Sequence, residues 1–310
     1  MLSTGAPLDW SLVDIAVPRS SDRLPGVSMA GFRHRAPASV DIAMVAHPSV
    51  TLFIDLSEGE GLVHRTHTRD VRGSAVVGLL PGDLRAGGRV GECLQIRLDP
   101  AAAAVVLGTV TELTGAVVSL EDVWGRDARR TEDRLRAAAS WGERFTIAAD
   151  LLGRRLGSRP AVAPEVAFAW RQMRASRGRA RVDGLADEVG WSRKRLSARF
   201  RAQLGITPKR AARLVRFDHA ARLLAAGHAA AGVAAESGYV DQSHLYREVK
   251  SFAGLTPTAV AVAPWLAIDD VAWPVSSPMR SPRTSSGHIP DLGRTACLQQ
   301  SASRSPWQLQ

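Results

Sequence analysis

The sequence predicts an α+β chain: a β-rich N-terminal domain with accompanying helices, then an all-α domain of two helix-turn-helix subdomains joined by a long helix. Three observations carry that prediction. One pattern of about two dozen residues occurs twice, at 185–208 and 233–257. Short apolar runs separated by Gly, Pro and Asp fill residues 38–98. Between the two regions, LGSRPAVAP at 156–164 interrupts any helical pattern, which places domains at 1–158 and 159–263 and leaves 264–310 as a tail.

In the first region the runs VDIAMVAH, VTLFIDLS, LVHRTH, SAVVGLLP and CLQIRLD follow one another about every ten residues, with a turn expected at LPGD, 80–83. Runs of that length and spacing read as a small antiparallel sandwich or barrel. From 99 the period changes. DPAAAAVVLG reads as a helix capped by Asp99, TELTGAVVSLEDVWG as a second helix, and 128–157 as one long helix ending near Gly157. Trp124 and Trp141 fall on apolar helix faces and are read as core rather than as the lining of a small-molecule pocket.

His34, His47, His64 and His67 raise the question of a metal site. His64 and His67 stand three apart, however, so on a strand they face opposite ways, and no acidic residue has matching spacing. Asp55, Glu58 and Glu60 are read as a solvated turn in SEGEG. Nucleophile-elbow, phosphate-loop and dinucleotide patterns are missing from the sequence, so no catalytic residue, metal or cofactor is expected.

The repeat is the most specific signal. Ala186 pairs with Ala234, Glu188 with Glu236, Gly190 with Gly238, Trp191 with Tyr239 and Leu196 with Leu245; Gly205, Thr207 and Pro208 then meet Gly254, Thr256 and Pro257. In each copy a glycine stops a short apolar helix, because glycine accepts the left-handed conformation a stop needs. Ser192 and Asp241 are placed to cap the next helix. Leu196, Phe200 and Leu204 recur every fourth residue and predict a buried stripe, as do Leu245, Val249 and Phe252. That leaves Arg193, Lys194, Ser197 and Arg201 outward in the first copy, with the side of Arg195 and Arg199 open. In the second copy Gln242, Ser243, Tyr246, Arg247 and Lys250 face out. Arg and Lys bond guanine edges or phosphates, and Gln pairs with adenine through two hydrogen bonds.

Residues 164–263 resemble the DNA-binding domain of the AraC/XylS family of transcription regulators. The resemblance implies two DNA-reading subdomains on a connecting helix, here from Pro208 to Gly227, with Leu214, Phe217, Ala221 and Leu224 packing both against it. A connector of about 19 residues spans roughly 28 Å, near the ~34 Å between successive major-groove faces. The outward positions expected to contact DNA are Arg193, Lys194, Ser197, Arg201, Gln242, Ser243, Arg247 and Lys250. Two departures stand out: Ala198 replaces an arginine common in the family, and Val249 replaces an aromatic. The stretch CLQIRLDPAAAAVVLG with LEDVWG resembles a sensor-like domain, cupin-like in its β part, that precedes such DNA-binding domains. Some repair proteins that transfer an alkyl group to a cysteine share the double helix-turn-helix domain, and that is the rival reading. Cys93 in GECLQI and Cys297 in RTACLQQ lack the flanking His or Arg that would activate a thiol.

Charge agrees independently. Residues 160–263 hold 17 Lys and Arg against 8 Asp and Glu, a net of +9, whereas 1–159 balance at 19 against 19. Nearly all of the chain's +10 therefore lies on the repeat region, as a phosphate-binding surface requires. Two unclustered cysteines in 310 residues argue for a reducing compartment, and no run is long and apolar enough for a membrane span. The expectation is a cytoplasmic protein whose partners are double-stranded DNA, a small-molecule effector, RNA polymerase and a second copy of the chain, with no membrane. Residues 264–310, rich in Pro and Ser, have too little contiguous apolar surface to fold as a domain, with local packing of PWLAIDDVAW against the last helix the one exception allowed for.

Overall fold

A computed structural model describes residues 10–19, 22–59, 61–67, 69–80, 84–108, 110–157, 162–263, 266 and 269–273. A single 3-10 turn, Trp10–Leu12, precedes eight strands: β1 (Val13–Ala16), β2 (Val27–Met44), β3 (Val50–Asp55), β4 (Gly61–Arg65), β5 (Asp70–Arg72), β6 (Ala75–Val77), β7 (Leu84–Leu98) and β8 (Val117–Ser119). They form one antiparallel sheet in the order β1-β2-β7-β3-β6-β8, with β4 bridging β7 and β5. The spine is the long pair β2 and β7, running from Val27 opposite Leu98 to Met44 opposite Leu84. A register shift between Arg33 and Ala38 bends that pair, as bulges do. One half of β7 then pairs with β3 and the other half with β4, so the sheet folds over into a cup. The expected turn at LPGD lies, from residue 81 on, outside the described residues.

Strand alternation sorts the side chains into two cores. Leu52, Ile54, Leu94, Ile96 and Leu98 face outward under the helices, whereas Val40, Phe53, Leu62, Val77 and Cys93 face into the cup. The sequence missed β1, β5, β8 and half of each long strand, because GFRHR and RAGGRVGE break the apolar alternation.

Helices α1 (Pro100–Leu107), α2 (Val110–Leu113), α3 (Leu120–Trp124), α4 (Arg126–Ala137) and α5 (Trp141–Gly157) cover the outer face. Asp99 caps α1 as expected, accepting from the Ala102 N–H at 2.8 Å. Two expected helices are each divided. Within TELTGAVVSLEDVWG, Gly115 turns the chain after α2, VVS pairs with β6 as β8, and Ser119 with Asp122 forms a capping box that starts α3. The long helix expected at 128–157 breaks at Ala138, where ψ is 134°. Ser140 accepts from the Glu143 N–H and Glu143 accepts from the Ala139 N–H, so α5 opens on its own cap. The buried Arg144 pins α5 to the sheet, donating to Glu92 at 2.6 Å and to the Leu135 carbonyl at 3.0 Å. Trp124 is core, with the Arg155 guanidinium over its ring.

The elements that follow among the described residues are all helices: α6 (Pro164–Ala175), α7 (Val182–Glu188), α8 (Arg193–Leu204), α9 (Pro208–Ala225), α10 (Ala230–Glu236), α11 (Gln242–Ala253), α12 (Pro257–Ala261) and α13 (Asp269–Ala272). One apolar core runs without a break from the outer face of the sheet through Val106, Val110 and Leu113 to Leu204, Ile206 and Phe217. The segment around α13 also seats on the sheet, while Leu266, between it and α12, packs against the main core. Trp273 packs with Ala30, Phe32 and Ile15 at the β1–β2 edge, beneath the Arg97 guanidinium 4.0 Å from its ring. A cation over an indole face, added to Asp269 on Arg97 at 3.0 Å, gives this segment a firmer seat than an apolar helix end would. Among the described residues no helix is long and apolar enough to cross a membrane.

Candidate nucleic-acid interface

The two copies of the repeat fold alike down to single hydrogen bonds. Gly190 and Gly238 have φ of 66° and 74°, where side chains are disfavoured. Each lets the next N–H turn back: Trp191 donates to the Ala186 carbonyl at 2.9 Å, and Tyr239 to the Ala234 carbonyl at 2.8 Å. The following helix then opens on a polar cap. Ser192 accepts from the Arg195 N–H at 3.2 Å and Asp241 from the His244 N–H at 2.6 Å. At the far ends Gly205 and Gly254 take the left-handed conformation, and Thr207 and Thr256 cap α9 and α12, each of which begins with proline. Leu196, Phe200, Leu204, Leu245, Val249 and Phe252 are buried, as their spacing predicts.

Arg193, Lys194 and Arg201 of α8 are exposed and Ser197 is half-buried; Gln242, Ser243, Arg247 and Lys250 of α11 are all exposed. At about 100° per residue the α8 set falls within a wedge of roughly 100° and the α11 set within roughly 140°, so each forms one face. Arg193 lies 3.3 Å from Asp183, but both are open to water and the pair is a weak leash. Arg195, whose side the sequence left open, is exposed and lies over the Trp191 ring at 4.6 Å. Arg199 is exposed too. Sequence reasoning missed Val240, 88% exposed just before the α11 cap, where no period marks a lone apolar residue in a turn.

The connecting helix anchors both units. Leu214, Phe217, Ala221 and Leu224 are buried along α9. The Phe217 and Phe252 rings stack with centroids 5.2 Å apart. Arg213 forks onto the buried Glu248 of α11, with donor distances of 2.9 and 3.1 Å. That geometry holds two parallel hydrogen bonds and fixes the orientation of α11.

The rival reading needs a reactive thiol. Cys93 is fully buried, and burial together with the Asp55 charge pushes its pKa up, so the sulfur stays protonated and shielded. Cys297 lies outside the described residues. Among the described residues no group of three or more His, Cys, Asp and Glu side chains could hold a metal ion.

Residues 185–261 match the helix-turn-helix domain family. No curated protein matches the chain. Similar solved structures include the C-terminal domain of AraT, a response regulator from Geobacillus stearothermophilus, at 22% identity over 32% of this chain and 85% of that one, with a TM-score of 0.31. ToxT from Vibrio cholerae is similar over 78% of this chain and 98% of its own, at 10% identity and a TM-score of 0.44. The xylose-binding transcription activator XylR matches over 39% of each chain at 23% identity, with a TM-score of 0.29.

Proposed function

We propose that this chain, whose residues 185–261 form an AraC-type helix-turn-helix domain of DNA-binding transcription regulators, reads a specific DNA sequence through α8 and α11 and is controlled through its β-rich N-terminal domain. The observation that carries the reading is the pair of equivalent turns, each presenting a capped helix whose outward face holds exposed basic side chains, Arg193, Lys194 and Arg201 on α8 and Arg247 and Lys250 on α11. Arg193, Lys194, Ser197 and Arg201 would enter one stretch of major groove, and Gln242, Ser243, Arg247 and Lys250 the next. Support for control by the N-terminal domain comes from its direct packing on the reader: α1 and α2 touch α8. A small-molecule effector, RNA polymerase and a second copy of the chain belong to this proposal as partners, and the cytoplasm as its place.

Selection of bound sites from random duplex DNA by the full chain tests the reading, followed by titration at several salt concentrations. Phosphate contacts release counterions, so affinity falls steeply with salt; a flat response, or no enriched site, defeats it. Lys194→Ala and Arg247→Ala should each cost about 1–3 kcal/mol on the selected site where a base contact is lost. Equal loss on random DNA reduces that residue to a phosphate contact.

A further inference from the structure

The cup holds a cavity of about 150 Å³ that DNA reading does not use. Alternation creates it: Thr51, Phe53, Cys93 and Gln95 turn inward, and Val40, Leu62 and Ala86 line it as well. The mouth is not closed by the sheet. Phe217, Asp218 and Ala221 of α9 line it, together with Asp269 and Trp273 from the segment around α13.

Each charged lining residue at the mouth has an opposite charge beside it, with the exposed Arg174 a further positive charge outside the lining. Arg97 donates to Asp269 at 3.0 Å, and Arg222 donates to Asp218 at 3.2 Å while also meeting Asp269. His47 bonds Ser49 at 2.7 Å and lies 3.4 Å from Asp218; burial and the Arg97 charge hold its pKa well below the usual histidine value, so it is neutral. Further in, the polar groups left without a partner among the described residues are neutral too. The Gln95 side chain and the Thr51 hydroxyl line the cavity with no hydrogen bond to another described residue, and His34 has a buried, unpaired Nδ1, with burial lowering its pKa.

We propose that the cup binds an uncharged, mainly apolar small molecule bearing one or two hydrogen-bonding groups, and that α9 registers its presence. A charged ligand group would have to take Arg97 or Arg222 from its own carboxylate, or Asp218 or Asp269 from its arginine, and leave a buried charge alone. A neutral donor or acceptor instead finds Gln95 and Thr51 free of protein partners and completes His34, whose Nδ1 is buried and unpaired. An apolar cavity of about this volume takes a single aromatic ring, so the ligand is compact. Because α9 carries the first unit at one end and the second along its side, a ligand favouring one seating of α9 favours one spacing of α8 and α11. That last step rests on the DNA-reading proposal; the ligand site does not.

The purified full chain should be melted with benzyl alcohol, benzoate or benzylammonium as probes. Benzyl alcohol should raise the melting temperature in a saturable way, and the two ions should not. Gln95→Leu, nearly isosteric, should weaken the effect about tenfold, as loss of one hydrogen bond implies. Ala86→Phe should abolish it by filling the cavity from its wall; if that variant does not melt cooperatively, Ala86→Leu replaces it. The proposal is overturned if benzoate or benzylammonium stabilises as well as the alcohol, if the alcohol gives no saturable shift, or if folded Gln95 and Ala86 variants keep the full shift. DNA titrations with and without benzyl alcohol then test α9. A changed affinity supports the coupling, and unchanged affinity with binding intact overturns it. No DNA binding at all defeats the regulator reading and leaves the ligand site standing.

Discussion

In the first helix-turn-helix unit, α8 ends against α1 and α2, where Gly205 lies so close to Val110, Thr111 and Thr114 that a side chain there would collide with them. In the second, α11 lies on α9, α10 and α12, and its inward Glu248 is gripped by Arg213. The turns, caps and stripes of the two are interchangeable, but what holds them is not. One reading helix is braced by the sheet domain; the other is tied by an ion pair within the helical domain. A repeat therefore specifies local shape, while residues outside it decide which forces reach each copy.

Arg213→Met should disturb the second unit most. Glu248 is 4% exposed, and removing the partner of a buried charge costs about 3–5 kcal/mol. Arg213 itself is 43% exposed, so water can reach the orphaned carboxylate and the cost should fall toward about 3 kcal/mol. Hydrogen exchange should show α11 amides losing protection while α8 amides keep theirs, and adding Glu248→Met should restore most of the loss. Equal loss in both helices would mean that the two units melt as one block, and the comparison would break.

Acid should do the reverse. His64 is fully buried, neither ring nitrogen has a partner among the described residues, and burial lowers its pKa from 6.5 to about 4. With the folded pKa below the unfolded one, the stability due to neutral His64 is complete above pH 6.5. It is lost as pH falls from 6.5 through 4, by up to about 3 kcal/mol. The sheet domain should loosen first, and α8, braced on it, should lose protection before α11. His64→Leu should flatten that part of the pH profile. If α11 opens first, or the leucine variant titrates like the parent, the brace is not what distinguishes the units.

Gly205→Ala measures the brace directly. A left-handed alanine costs about 1–2 kcal/mol anywhere, and Gly190, at φ 66° with open space around it, reports that cost alone. Gly205→Ala should exceed Gly190→Ala by about 1 kcal/mol in urea unfolding, the excess being the collision with α2. Equal losses would show that α8 does not bear on the N-terminal domain.

Sequence reading recovered the features encoded over a few residues. Gly190, Gly238, Ser192, Asp241, Asp99 and the apolar stripes act within one or two turns of helix, and each was legible in the letters. The break before α5 was legible as well, since Ser140 and Glu143 have capping-box spacing, but the periodicity around it masked the signal. Strand β8 was not, because VVS becomes a strand only by pairing with β6. The α8 brace could not be read, as it arises where Gly205 meets Val110, Thr111 and Thr114, about ninety residues away, and of the cup only a small antiparallel sandwich or barrel was legible, not its cavity. The exposed basic positions were legible because the buried stripe fixes the opposite face by subtraction.

The smallest difference lies in the caps. Ser192→Ala removes a neutral acceptor 3.2 Å from its N–H and should cost about 1 kcal/mol. Asp241 accepts at 2.6 Å and sets a negative charge at the positive end of the α11 dipole, so Asp241→Ala should cost a few tenths of a kcal/mol more. That same charge stands next to Gln242 and Ser243, on the face proposed to approach phosphates, where it opposes binding. Asp241→Asn separates the two roles, because the amide oxygen still caps while the charge is gone. The variant should fold nearly as stably as the parent, bind DNA more tightly at low salt, and show a steeper loss of affinity as salt is raised. Ser192→Ala should change stability without changing the salt slope. If Asp241→Asn leaves DNA affinity and salt slope untouched, the α11 cap does not face the phosphates, and the symmetry drawn between the two reading helices ends at their folds.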